Sequence, residues 1–492
     1  VRGRAAALGL ALLAASEPAR ALDPPSPPID PPRATDPPEP AAPAAPAVTA
    51  VTAAPPRDDG EGESEGPPRY DLAAWETAAI LGVGTTWYWL DRRTNQQDWD
   101  DPPLLARFDG DYWRLDNNRF GINFVGHPLT GALSYGLARA HRIGPGGAFG
   151  FALGTSLLWE LGVEFREKVS VNDVVVTAPA AVPIGELAYK AGVEVAEAFG
   201  EAGPRASRDR SRRASLALEA GTLARSPLGA SSFVRAVVDA DLAWIAHYRN
   251  HGAYSGGFAR AELVTGRVEV PLSVHGSGFD GEAIAVLAGY HAQAIEGDGE
   301  GRRGWSLTVG TPVAFRYVAS SALGFRELLA TTRLPGVDLR AAWYRPPLRL
   351  EADLDANLDF AGMSSPAHPR WAEANPDAVG KTILRRQGYF YGLGPSARAR
   401  FACIVGDVAL RMELDGLSVR SLDGLDRTQE TLTFDERLAG QTARARASAD
   451  VALGAGWSFG ARAEARRWRS RVEDVRFEVR ADFLGLAIMH DF

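Results

Sequence analysis

Residues 347–361 read Pro-Leu-Arg-Leu-Glu-Ala-Asp-Leu-Asp-Ala-Asn-Leu-Asp-Phe-Ala, with apolar and polar side chains alternating along the whole stretch. Leu348, Leu350, Ala352, Leu354, Ala356, Leu358 and Phe360 share one face, and Arg349, Glu351, Asp353, Asp355, Asn357 and Asp359 the other. A β-strand has a side-chain period of two, so this segment separates an oily medium from a polar one. The pattern recurs. In Phe233–Ala246 the apolar Val234, Ala236, Val238, Ala240, Leu242 and Trp244 oppose Arg235, Asp239 and Asp241. In 397–405, Ala397, Ala399, Phe401, Cys403 and Val405 oppose Arg398 and Arg400, and in 442–453 small apolar residues oppose Arg444, Arg446 and Asp450. In 473–483, Val475, Phe477, Val479, Ala481 and Phe483 oppose Arg476, Glu478, Arg480 and Asp482.

About twelve such segments begin near 215, 233, 258, 281, 303, 336, 347, 396, 407, 441, 455 and 476, separated by Gly, Asp and Pro turns. An even count suits a closed bacterial barrel, and closure leaves no strand edge unpaired in lipid. The expected fold is mainly β: an antiparallel transmembrane barrel of about 12 strands, within a range of 10–14. Phe492, at the end of a long final strand, resembles the C-terminal signal of outer-membrane barrels. On this reading Arg349, Glu351, Asp353, Asp355 and Asp359 point into a lumen, with Arg235, Arg398, Arg444 and Arg480 placed to neutralise them. Trp244, Trp305, Trp343, Tyr344 and Trp468 suit interfacial girdles. A secreted soluble sandwich alternates too, but does not normally line one face with six charged or amide residues in succession.

Upstream of residue 214 the character differs. Arg2 and Arg4, the apolar Ala5–Ala15 and the small-x-small Ala19-Arg20-Ala21 read as an export signal over 1–21. Residues 22–69, rich in Pro and Ala and then in acid, carry too little apolar bulk to offset the entropy of ordering and are expected to form a disordered tether on the periplasmic side. Residues 70–203 read as a small α-helical domain with helices at Leu72–Leu90, Pro128–Ala140, Ala148–Lys168 and Gly185–Phe199, either core or membrane-apposed. A basic linker over 204–213 leads to the barrel at 214–492. The domain is expected in or under the barrel, capping or plugging it.

A net charge of −8 argues against a nucleic-acid partner. Cys403 is the single cysteine, so no disulfide or paired-thiol metal site can form within the chain. No Gly-x-Ser-x-Gly, phosphate-binding loop or His-Glu-x-x-His occurs. His247 and His251 have zinc-like spacing, but they leave a strand for a Gly-rich loop where a solvated role is the expectation. No cofactor and no metal site is read.

The helical domain holds many polar residues within apolar sequence: Trp113, Asn117 and Asn123; His127-Pro128, Gly131, Tyr135 and Arg139; Trp159-Glu160 and Glu164; Ser170, Asp173 and Gly185-Glu186. This combination over roughly 100–190 resembles the bacterial family known as domain of unknown function 3943, which implies an envelope protein and no particular activity. Ser156, Glu160, Glu164 and Glu167 line one helical stripe beside Leu153, Leu157, Leu161 and Phe165.

Two roles follow for these residues. In one, His127 acts as general acid or base, Glu160 and Glu164 as a carboxylate pair and Arg139 as an anion holder, in a hydrolase of lipid or cell-wall glycan. In the other they form a buried structural network with Asp173 and Glu186, Arg139 pairing with Glu160 or Glu164 and His127 capping a helix. The functional expectation is an outer-membrane barrel with a structural or partner-binding role; the hydrolase and a narrow gated pore are the alternatives. Its partners would be outer-membrane lipid, the barrel assembly machinery and an envelope protein or glycan.

Overall fold

In a computed structural model of the chain, the described residues are 66–90, 99, 101–108, 112–116, 118–198, 211–224, 231–243, 252–258, 261, 263–273, 276–297, 301–322, 325–374, 388–422 and 438–491. The export signal, almost all of the tether, Asn117, residues 204–210, Trp244, His247, His251 and Phe492 lie outside them.

The helical region comprises α1 (Tyr70–Leu90), α2 (His127–Ala140), α3 (Pro145–Leu158) and α4 (Ala178–Ala198), with a short parallel bridge between β1 (Trp113–Arg114) and β2 (Val169–Ser170). Pro145 falls in the first turn of α3, where a missing N–H costs nothing, and Pro128 comes just after a π turn at Ile122–Gly126. The third helix stops earlier than its apolar run suggests, because the chain widens into a π turn at Trp159–Val163. Among the described residues no helix is long and apolar enough to cross a membrane.

The rest is one antiparallel sheet: β3 (Ser211–Ala224), β4 (Ser231–Ala243), β5 (Gly252–Phe258), β6 (Leu263–Ser273), β7 (Gly276–Glu296), β8 (Arg303–Ala322), β9 (Phe325–Arg333), β10 (Val337–Arg345), β11 (Leu348–Ser364), β12 (Phe390–Val405), β13 (Val408–Ser421), β14 (Leu438–Gly454), β15 (Trp457–Val472) and β16 (Val475–Asp491). Both β9 and β10 lie between β8 and β11, interrupted at Leu334-Pro335-Gly336, and β5 continues β6 along β7. Fourteen elements therefore fill twelve positions, and pairing of β16 with β3 closes the ring. A closed twelve-strand wall satisfies every backbone group internally, as lipid demands.

The two faces fall as the alternation requires. On β11, Leu350, Leu354 and Leu358 are exposed outward while Asp355 and Asp359 are buried inward. In register, Asp355 lies opposite Arg398 and Asp353 opposite Arg400. Trp305 and Trp343 sit opposite one another on the outer face, as a girdle pair would. The apolar exterior and closure make this an outer-membrane barrel. Leu354→Arg, which puts a charge on the lipid face, is expected to destabilise the folded barrel by about 2–4 kcal/mol, read as a lower temperature of the folded-to-unfolded band shift on unboiled gels; Asp355→Asn serves as the inward comparison.

Three layers fill the interior. At the end away from the barrel's termini, the loop after β11 folds inward as α5 (Ala367–Ala374), and Trp371 packs with Leu329, Met363, Phe390, Val419, Trp468 and Val472. Next come ion pairs that cross the lumen: Arg316 on β8 reaches Asp415 on β13 at 3.0 Å, and Arg444 on β14 reaches Asp280 on β7 at 3.0 Å. Toward the terminal end lies a cavity of about 840 Å³ lined by Arg213, Arg340, Tyr344, Arg349 and Asp491 among others.

This arrangement corrects three expectations. Arg480 does not face the lumen. Val475, Phe477 and Val479 turn inward onto the apolar plug, and Arg480 lies outside with Glu478, which also pairs with Arg467 and Arg469. Trp468 and Tyr344 likewise face inward, so neither belongs to a girdle. Finally, the helical region neither caps nor plugs the barrel: the plug is α5, and the helices lie against the outside of the wall.

That position follows from register. Val264, Ala285 and Val313 occupy outward positions, alternating with the inward Arg267, Glu282 and Arg316, yet they are buried under Ala73, Tyr135, Ile143, Ala181 and Val182. Outward-facing Leu328, Ala330, Phe360, Tyr389 and Tyr391 are likewise covered by Leu115, Phe120, Phe124 and Val176. Lipid tails are as apolar as these side chains, so hydrophobicity alone does not favour such docking; close packing and polar bridges must supply the difference. Both are present. Gly266 and Gly362 leave room in the wall for Leu187 and Phe124, Lys190 donates to the carbonyl of Ala261 at 2.9 Å, and Asn123 donates to the hydroxyls of Tyr389 and Tyr391 at 2.9 and 2.6 Å.

Candidate functional site

Within the helical region a polar cluster forms where three π turns, Ile122–Gly126, Trp159–Val163 and Asp173–Thr177, meet the segment after β1. A π turn inserts one residue into the helical ladder and re-aims its neighbours, and such turns recur at functional sites. Here they carry Asn123, Glu160 and Asp173 inward, all at most 2 % exposed. The wide turn at Trp159–Val163 leaves carbonyls without helical partners, and the buried guanidinium of Arg107 donates to those of Glu160, Leu161 and Glu164. Small residues permit the tight packing: a Cβ at Gly131 would stand 2.8 Å from the carbonyl oxygen of Thr177, and one at Gly185 would stand 2.7 Å from the ring of Tyr135.

At the centre stand Asp116, His127 and Asp173, each offering a ligand-type atom within 4.8 Å of the others. His127 Nε2 lies 3.7 Å from Asp173 Oδ2. His127 Nε2 has no hydrogen-bond partner, while the Glu160 and Asp173 carboxyls lie against one another at hydrogen-bonding range. Their other atoms are held in place: Asn172 Nδ2 donates to Asp173 Oδ1 at 2.7 Å, Asn118 Nδ2 to Asp116 Oδ2 at 2.6 Å, and the Ser170 N–H to Glu160 Oε2 at 2.8 Å. Burial pushes the Glu160 and Asp173 carboxyls well up from the ordinary range, and the neighbouring carboxylates add to this. Burial pushes the His127 imidazole down, opposed by Asp116.

The residues singled out by sequence divide into three places. His127 and Glu160 meet around Asp173. Glu164 is separate, accepting from Trp159 Nε1 at 2.8 Å, its carboxyl raised by burial and then by Glu160 and Glu167. Arg139 pairs with neither Glu160 nor Glu164: its Nε donates to Glu186 at 2.8 Å, Tyr135 donates to the same carboxylate at 2.9 Å, and Lys190 stands 3.8 Å from it. The expected single network is thus two, because α4 carries Glu186 against α2 while the π turns carry Glu160 away from it. His127 opens α2 without capping it; the backbone of Gly126 occupies the cap.

Sequence reading passed over Asp116, Asn118, Asn172, Arg107 and the wall tyrosines Tyr389 and Tyr391. The one visible sign was Tyr389-Phe390-Tyr391, which places two hydroxyls on the outer face of a barrel strand, where lipid offers no partner.

Residues 112–214 match the family model described as a domain of unknown function, DUF3943. No curated protein matches the chain. Among solved structures, the NanC porin is similar at 10% identity over 56% of this chain and 98% of its own, with a TM-score of 0.27. An outer membrane channel from Pseudomonas putida F1 is similar at 9% identity over 59% and 100%, TM-score 0.26. The translocator domain of the autotransporter NalP from Neisseria meningitidis is similar at 10% identity over 56% and 87%, TM-score 0.22.

Proposed function

We propose that this chain is an occluded outer-membrane anchor: a barrel that conducts nothing and holds the helical domain beside its wall for a structural or partner-binding role. The observation that carries this reading is the filled lumen. An apolar plug around Trp371 and a layer of cross-lumen arginine–carboxylate pairs stand across the lumen, and an ion entering that layer would have to displace charges already paired in a low dielectric. The seam on the outer wall supports the second half of the reading, since the wall there is built for protein contact rather than for lipid.

The test is conductance of the folded, full-length protein in planar bilayers. Baseline current is expected across the voltage range, and also after removal of residues 70–198, because those helices do not occupy the lumen. Discrete channel steps from the intact protein would overturn the reading in favour of the narrow gated pore.

A further inference from the structure

We propose that Asp116, His127 and Asp173 hold one divalent transition-metal ion of the Zn²⁺ or Mn²⁺ class, with Glu160 as an adjoining carboxylate. The three donors come from three separate segments: the stretch after β1, the start of α2 and the third π turn. Their convergence within 4.8 Å is therefore a product of the tertiary fold and not of local sequence.

The second observation is His127 Nε2, which has no hydrogen-bond partner and faces a buried carboxylate oxygen. Asp173 is 2 % exposed, and its Oδ2 faces His127 Nε2 at 3.7 Å beside the Glu160 carboxyl. That separation is too long for a hydrogen bond. It is close to the spacing of adjacent ligands on one ion, about 3–3.6 Å for metal–ligand distances of about 2.0–2.2 Å. A proton shared between Glu160 and Asp173 would quiet the carboxyls, yet it would leave His127 Nε2 bare. An ion satisfies both.

Charge points the same way. Asp116, Glu160, Glu164, Glu167 and Asp173 are buried together, and the buried cations beside them are Arg107 and Arg114. Arg114 is taken by Glu167 at 2.9 Å, and Arg107 by backbone carbonyls. Among the described residues no cation forms an ion pair with Asp116, Glu160 or Asp173 other than the His127 imidazole. Asn172 pins one oxygen of Asp173, and Asn118 holds both of Asp116, its side chain on Oδ2 and its backbone N–H on Oδ1 at 3.3 Å, as outer-shell groups do around metal ligands. The imidazole selects a transition metal over Mg²⁺ or Ca²⁺, which prefer all-oxygen shells.

The full-length protein, refolded into detergent with and without Zn²⁺ and freed of excess ion by gel filtration, is assayed for metal by mass spectrometry; Mn²⁺ is followed in parallel by electron paramagnetic resonance. About one ion per chain is expected, falling roughly tenfold or more in Asp173→Asn and His127→Gln. Asp101→Asn, at a surface pair with Arg166, binds as wild type. Folding of each variant is read from its gel shift, and if Asp173→Asn does not fold, His127→Gln decides alone. Metal content near zero in the refolded wild type, or unchanged in His127→Gln, would overturn the proposal, and neither result touches the conductance test.

Discussion

Arg398→Ala is expected to destabilise the folded barrel by about 3–5 kcal/mol. Arg398 is 4 % exposed on the inner face of β12, where its Nε donates to Asp355 at 2.8 Å and its Nη1 donates to Glu282 on the far side of the lumen. Truncation removes the cation that bridges Asp355 and Glu282 on the inner face of the wall. Arg333 contacts both of them, at 3.2 and 3.3 Å, but is shared with Asp359 at 3.7 Å, and Arg400 reaches Glu282 only at 4.0 Å. Arg398→Lys keeps the charge but loses the fork that spans both carboxylates, so an intermediate loss is expected. The measurement is denaturant unfolding followed by the shift between folded and unfolded bands. Unchanged midpoints in Arg398→Ala would mean that the cross-lumen pairs do not hold the barrel closed.

The strands were legible in the sequence because alternation reports a contrast between media, and a barrel wall meets that contrast along most of its length. Each of the twelve expected segments falls on one of the twelve wall positions. The same logic explains the failure at Arg480. Alternation says that two faces differ without saying which is inside, and at the end carrying α5 the contrast inverts: the interior there is the apolar plug, and the exterior meets charged partners. Trp468 follows the same inversion. The helices were legible as elements, but their place was not, since an outward wall residue buried by protein reads like one buried by lipid. Val264 and Leu354 are equivalent in sequence terms; one is 0 % exposed and the other 38 %. The polar centre was half legible. His127 and Glu160 stand out as polar residues in apolar runs, whereas Asp116 joins them only through the path of the chain after β1, and the π turns that aim Glu160 and Asp173 leave no periodic trace.

The wall glycine beneath the helical region offers a way to separate docking from barrel folding. A Cβ built on Gly362 would lie 2.1 Å from Cε2 and 2.2 Å from Cζ of Phe124, which is fully buried. The ring cannot swing aside, because Phe120 stands 4.8 Å from it and Tyr391 5.4 Å, centroid to centroid. Gly362→Val therefore costs the seam about 1–3 kcal/mol by overpacking, and it also draws Asn123 away from Tyr389 and Tyr391. The barrel itself should tolerate the change, since valine suits an outward strand position. The expected result is a band shift at nearly the wild-type temperature together with rapid tryptic cleavage at Arg107, Arg114 or Lys190, which the docked fold buries. Gly416→Val, at an outward site whose Cβ would meet only the Thr442 carbonyl at 3.9 Å, should leave both readouts alone. Tryptic resistance in Gly362→Val equal to wild type would refute docking through this seam. Joint loss of the band shift and of protease resistance would instead show that wall and helices fold as one unit, with the helical region a structural part of the barrel rather than cargo on its side.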